Sequence, residues 1–263
     1  MSNDLIISVD GRGVAFVSLN RPGKHNAFDD KLIGQLTELF QALNRDPEVR
    51  VVVLTGMGKS FSSGADLNWM KSMVDYDEDT NLQDSLRLAN LMETLFTFSK
   101  PTIARVNGPA YGGALGLIAC CDIAIGTDHA DFCFSEVKFG IAPAVISPYV
   151  ITAIGYRHAK KLFLTGELFS AREALHIGLL HECVHLDDLQ QSVNKHINLL
   201  LRGAPNAQSE IKTLLSDLSG FDSTIKTKTA ALIAKLRNSE EGQNGINAFL
   251  NKTKPRWLDP ESE

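Results

Sequence analysis

Two runs of small residues, Ser62-Ser63-Gly64-Ala65-Asp66-Leu67 and Asn107-Gly108-Pro109-Ala110-Tyr111-Gly112-Gly113-Ala114, are where this chain could do chemistry with its backbone. Each follows an apolar run and precedes a helical pattern. Each therefore presents unpaired N–H groups at the positive end of a helix, suited to an oxygen that becomes anionic. Donors from the two loops could converge on one carbonyl oxygen. Gly112-Gly113 would also serve a plain strand-to-helix turn that needs φ > 0, and from that segment alone this is the commoner reading. Neither GxGxxG nor GxxxxGK(S/T) is present, so nucleotide binding of those kinds has no motif. Asp66 reads as a helix cap and Asp122 as the holder of a turn. The histidines other than His25 are scattered, with no Ser, Cys or acid at telling spacing, which leaves nucleophilic catalysis unsupported. Cys120, Cys121, Cys133 and Cys183 show no CxxC spacing and no paired histidine ligands. They read as buried free thiols rather than a zinc site or a disulfide framework.

The elements that must position these loops can be read from the hydrophobic pattern. Residues 5–9 and 14–19 alternate around Gly11-Arg12-Gly13 and predict a hairpin. Leu32, Ile33, Leu36, Leu39, Phe40 and Leu43 form the stripe of an amphipathic helix capped by Asp29 or Asp30. Val51-Val52-Val53-Leu54 is the continuous apolar run of a strand buried on both faces. A second helix runs through Leu82, Leu86, Ala89, Met92, Leu95 and Phe96, and strands follow at 102–106, 123–125 and 132–134. Strand, helix, strand with hairpin-like pairs between them argues for an α/β layer fold with crossover connections. Beyond Val145 helices dominate, at 171–177, 186–201, 206–218, 224–237 and 241–251, and only 182–184 looks extended. We divide the chain into a core at 1–200 and a helical module at 201–263 that does not fold independently, because no low-complexity linker separates them.

Composition narrows the classes. The 263 residues carry 44% hydrophobic and 22% charged residues, which excludes disorder as a whole-chain description. A net charge of -5 gives no electrostatic footprint for nucleic acid. No basic region precedes an apolar run at the N-terminus, so a cytoplasmic protein is expected. Residues 139–156 carry no charge, but Pro143 and Pro148 interrupt them and the stretch reads as buried loop and helix, with no membrane association.

Taken in order, Phe61 to Leu67, then Asn107 to Gly113 running on to Cys121-Asp122-Ile123-Ala124, resemble the crotonase, or enoyl-CoA hydratase/isomerase, superfamily. Leu19-Asn20-Arg21-Pro22 with Asn26-Ala27 fits, as do Phe134-Ser135-Glu136 with Gly140 and Pro143, and Leu164-Thr165-Gly166. Glu241-Gly242 and Phe249 with Lys252 extend the match over nearly the whole chain. The resemblance implies a spiral of ββα turns, a C-terminal helical trimerisation module and assembly as a homotrimer or hexamer. It implies an acyl-CoA thioester as substrate, no metal, and no separate cofactor, coenzyme A being part of the substrate. It maps the two backbone donors of an oxyanion hole to Ala65 and Gly113, and the acid/base glutamate to Glu136. Lys24, His25, Ala27, Ala65, Asp66, Leu67, Asn68 and Gly113 would bind the substrate, the coenzyme side above all, and Trp69, Met70 and Met73 either line the acyl pocket or pack as helix core.

One position departs from the family. The second hydratase glutamate should sit three residues after Gly113, where this chain has Gly116. A lone carboxylate is enough for a double-bond isomerase, which moves one proton between allylic carbons. Against that, 63–70 and 135–148 are worded like bacterial hydratases of methylglutaconyl-CoA and related branched glutaconyl esters. The reading is therefore an enoyl-CoA hydratase of branched or glutaconyl-type esters, with a Δ3-Δ2-enoyl-CoA isomerase and a non-catalytic acyl-CoA binding protein as alternatives. A carboxylate restored at Gly116 is expected to face Glu136 and raise hydration of simple 2-enoyl esters.

Overall fold

The computed structural model describes residues 4–218 and 224–258. The predicted hairpin opens the chain, with β1 (Leu5–Val9) antiparallel to β2 (Val14–Leu19). Helix α1 (Asp30–Arg45), capped by Asp29 accepting from the Leu32 N–H at 3.0 Å, crosses to β3 (Val51–Gly56). Helices α2 (Leu67–Val74) and α3 (Glu78–Phe96) cross to β4 (Thr102–Val106). The short β5 (Ala110–Tyr111) and the apolar α4 (Gly113–Cys120) lead to β6 (Ile123–Thr127). Then come β7 (Asp131–Cys133), α5 (Ser147–Thr165), β8 (Phe169–Ser170), α6 (Ala171–His176) and β9 (Glu182–Val184). Four α-helices, α7 (Leu189–Leu201), α8 (Pro205–Leu218), α9 (Thr224–Asn238) and α10 (Glu240–Leu250), and a 3₁₀ turn at Arg256–Leu258 finish the described chain.

The six-stranded sheet runs β1-β2-β3-β4-β6-β9 and is parallel from β2 onward. A parallel sheet needs cover on both faces, and alternate side chains of each strand supply it. Val14, Val51, Val53, Ile103 and Ile125 pack with Leu189, Val193 and Ile197 of α7. Their neighbours Ala15, Val17, Val52, Leu54 and Ala104 join the larger core, where Phe40 of α1 and Leu95 of α3 meet them. A second, three-stranded sheet, β5-β7-β8, lies beside the first. Its strands β5 and β8 are two residues long and had no alternation to betray them.

The uncharged 139–156 stretch is a loop followed by the first part of α5, which is broken at Gly155 (φ +75°). No helix among the described residues is long and apolar enough to cross a membrane. Of the 201–263 segment, residues 219–223 and 259–263 lie outside the described ones. Within the rest, Ala230 and Ile233 of α9 belong to the main core, and α9 lies along α3. Helix α10 packs on the turn that follows β7, with the Phe139 and Phe249 ring centroids 4.5 Å apart. This packing merges α9 and α10 with the wall of the core.

Candidate active site

The two glycine-bearing loops are stitched together by backbone hydrogen bonds. The Phe28 N–H donates to Gly64 O (2.8 Å) and the Asp66 N–H to Phe28 O (3.0 Å), so the stretch around Ala65 runs beside Phe28 like a one-residue parallel strand. Tyr111 N–H donates to Ser62 O (3.1 Å), and Gly112 N–H to Cys133 O (2.9 Å). Gly64 has φ +80°, and a Cβ there would lie 2.6 Å from Tyr111 O, so only glycine lets the loops approach this closely. The seam leaves two donors over. Among the described residues neither Ala65 N–H nor Gly113 N–H donates a backbone hydrogen bond, and Gly113 is the first residue of α4, where no intrahelical acceptor exists.

Both donors open into one cavity of about 810 Å³, which Glu136 also lines. Strand β7 carries the chain to Ser135, and Glu136 begins a single 3₁₀ turn, Glu136–Phe139. The Glu136 side chain folds back over Gly112, where a Cβ would lie 3.3 Å from Oε1. The carboxyl is thus set next to the Gly113 N–H. Its Oε2 is buried and has no hydrogen-bond partner. Burial pushes the carboxyl up to about 7, opposed weakly by its own backbone N–H. A carboxylate with an idle oxygen and a pKa near neutrality can take and return a proton, while two convergent N–H groups can hold a developing oxyanion.

The other predicted residues gather at the same cavity. Lys24, His25, Ala27, Asp66, Leu67 and Asn68 all line it. Asp66 caps α2 by accepting from the Asn68 N–H at 2.9 Å, and it receives Lys24 Nζ at 2.8 Å and Arg21 Nη2 at 3.2 Å. Burial opposes ionisation of Asp66, but the Lys24 hydrogen bond, the Asn68 N–H and the two cations together hold its carboxyl below the usual range. Asp66 therefore anchors the cavity rim as an ion-paired cap. His25 sits at φ +49° with Nδ1 3.0 Å from Ser60 Oγ. Trp69, Met70 and Met73 are both buried and cavity-lining, which unites their two sequence readings.

Gly116 corrects the expectation made for it. It lies inside α4, away from the cavity lining, and a Cβ there would meet Ile146 Cγ2 at 2.3 Å and Met92 Sδ at 3.1 Å. Ile146 occupies the space that a side chain at position 116 would enter. Glycine here is steric, and no vacancy waits for a second glutamate.

Sequence reasoning missed Asp84 and Arg237, which form a buried pair at the cavity wall (Arg237 Nη1 to Asp84 Oδ2, 3.0 Å). The available signal was phase. Asn81, Asp84 and Ser85 fall on the stripe completed by Leu88, Met92 and Leu95, and Arg237 continues the stripe of Ala230, Ile233 and Ala234. Polar residues in step with a core face are the ones to question.

Residues 10–260 match the family model described as enoyl-CoA hydratase/isomerase. A solved enoyl-CoA hydratase of Shewanella pealeana ATCC 700345 is 44% identical at TM-score 0.80, covering 97% of this chain and 96% of that one. A solved enoyl-CoA hydratase of Mycobacterium avium is 32% identical at TM-score 0.86, covering 98% and 100%. The 2,3-dehydroadipyl-CoA hydratase of Escherichia coli K12 is 32% identical over an alignment that covers 96% of this chain and 98% of that protein. A match this complete in sequence and in fold makes the chain a crotonase-fold enzyme of acyl-CoA thioesters, a member of the enoyl-CoA hydratase/isomerase family.

Proposed function

We propose that this enzyme adds water to the double bond of a branched or glutaconyl-type enoyl-CoA, with Glu136 as its single acid/base. The observation that carries the reading is the unpartnered, buried Oε2 of Glu136 in the cavity that also receives the Ala65 and Gly113 N–H groups. The thioester oxygen takes those two hydrogen bonds, which strengthen as charge moves onto it. Water attacks the β-carbon, one of its protons passes to the Glu136 carboxylate, and Glu136 returns a proton to the α-carbon. Lys24, His25, Ala27, Leu67 and Asn68, with Asp66 holding Lys24, bind the coenzyme side. Coenzyme A travels with the substrate, and the step needs no further cofactor.

A Δ3-Δ2 isomerisation is the second reading, and a specific observation favours it: Ile146 and Met92 fill the place of the second carboxylate. Glu136 would then take a proton from the α-carbon and return it to the γ-carbon. Incubation with 3-methylglutaconyl-CoA, a straight-chain 2-enoyl-CoA and a 3-enoyl-CoA, with product identification, separates the two. A 3-hydroxyacyl product supports hydration, a shifted double bond supports isomerisation, and tight binding without turnover of any ester removes both. We also propose assembly as a trimer or a dimer of trimers in the cytoplasm, supported by the exposed apolar stripe Ile211, Leu214 and Leu215 on α8.

A further inference from the structure

Arg237 is 6% exposed and Asp84 2%, and Arg237 is part of the cavity lining with Asp84 paired behind it. Asp84 Oδ2 accepts from Arg237 Nη1 at 3.0 Å, and Oδ1 accepts from Trp69 Nε1 at 3.2 Å. Arg237 Nη1 also reaches Ser85 Oγ at 3.2 Å, and the guanidinium carbon lies 5.8 Å from the Trp69 ring centroid. Two of Asp84's oxygens and one nitrogen of Arg237 are thereby used. The remaining edge of the guanidinium is idle: Nε is buried with no partner, and Nη2 donates no hydrogen bond among the described residues. Nε has no open surface, so Nη2 is the donor left to meet a group in the cavity, through a charge-assisted hydrogen bond.

The surrounding wall is apolar, with Met73, Leu88, Ile233 and Ile246. A hydrocarbon acyl tail filling this space would leave the Nη2 N–H groups unsatisfied. We propose that Arg237, held by Asp84 and Trp69, is the specificity residue that receives a carboxylate at the far end of the acyl chain, so that the enzyme selects ω-carboxyl enoyl-CoA esters over methyl-ended ones. This rests on the glutaconyl-type reading above and names the residue that enforces it. Because Asp84 already balances the charge of Arg237, selectivity comes from directed hydrogen bonds in a site shielded from water, and a moderate ratio is expected.

The test compares glutaconyl-CoA with pent-2-enoyl-CoA, and 2,3-dehydroadipyl-CoA with hex-2-enoyl-CoA, each pair differing by a methyl group where the acid has its carboxylate. Kd is measured by calorimetry on the Glu136→Gln enzyme, where turnover does not interfere, and kcat/KM on the wild type. At least one acid should bind about tenfold or more tightly than its partner. In Arg237→Met that ratio should fall to near one. Arg237→Met alone strands the Asp84 carboxylate, so Asp84→Asn/Arg237→Met is the second variant, keeping the acceptor for Trp69 and the volume of the stem. Equal or weaker binding of both acids, or a ratio that survives in the folded double variant, overturns the inference. Lack of hydration by the wild type overturns the reaction instead, since the binding ratio is read without it.

Discussion

Glu136 carries an oxygen without a donor in a cavity wall, and this has consequences on both sides of neutrality. With its carboxyl pushed up to about 7, the base form accumulates only above that pH. The kcat/KM profile should rise about tenfold per pH unit below 7 and level off above it, and a midpoint near 4.5 would show a solvated carboxyl instead. The stability effect has the opposite sign. Folded Glu136 binds its proton more tightly than unfolded Glu136, so its contribution to stability is lost as pH climbs from the ordinary carboxyl range through about 7. Glu136→Gln should therefore lower kcat by 10²–10⁴ while binding acyl-CoA nearly unchanged. The same variant should melt higher than wild type at pH 8, by up to about 3 kcal/mol of stability, and lose that advantage near pH 4. Gly116→Glu should not gain hydration. Its Cβ meets Ile146 at 2.3 Å, so overpacking of about 1–3 kcal/mol and a buried carboxyl should appear as a lowered Tm. A gain in hydration of simple 2-enoyl esters with an unchanged Tm would restore the vacancy that the packing denies.

The donors belong to elements rather than to side chains, so they are best tested through the backbone. Gly64→Ala places a methyl group 2.6 Å from Tyr111 O at φ +80° and should force the loop of Ala65 away from the start of α4. Loss of one oxyanion donor is worth on the order of 3 kcal/mol of barrier. The expected result is a kcat reduced about a hundredfold, with a smaller change in KM, and near wild-type kcat would mean that the seam does not set the donors. The 3₁₀ turn of Glu136 depends on a different element, since α10 lies against it and the Phe139–Phe249 rings are 4.5 Å apart. The strand before Glu136 was legible; the turn and its support were not, because a contact across more than a hundred residues leaves no local period.

Across the whole molecule, the C-terminal helices serve two surfaces. The inner one closes the cavity through Ile233, Arg237, Ile246 and Phe249. The outer one exposes Ile211, Leu214 and Leu215 of α8, spaced as an apolar stripe. Light scattering at micromolar concentration should give three or six times the 28.7 kDa chain mass, and a mass of one chain would remove the assembly proposal. Local chemistry was readable before any folding: the hairpin around Gly11-Arg12-Gly13, the β3 run buried on both faces, a cap at Asp29 or Asp30, and the two loops of small residues all follow from short-range pattern. So did the family, because its motifs recur in order along the chain. Strands β5 and β8 were not readable, being too short for a period, nor was the filling of the space beside Gly116 by Ile146, nor the meeting of Asp84 with Arg237. Each of these is a contact between distant segments whose local sequences are ordinary helix or loop. What a buried glycine or arginine does is set by the neighbour that packing brings to it, and that neighbour is chosen by the fold.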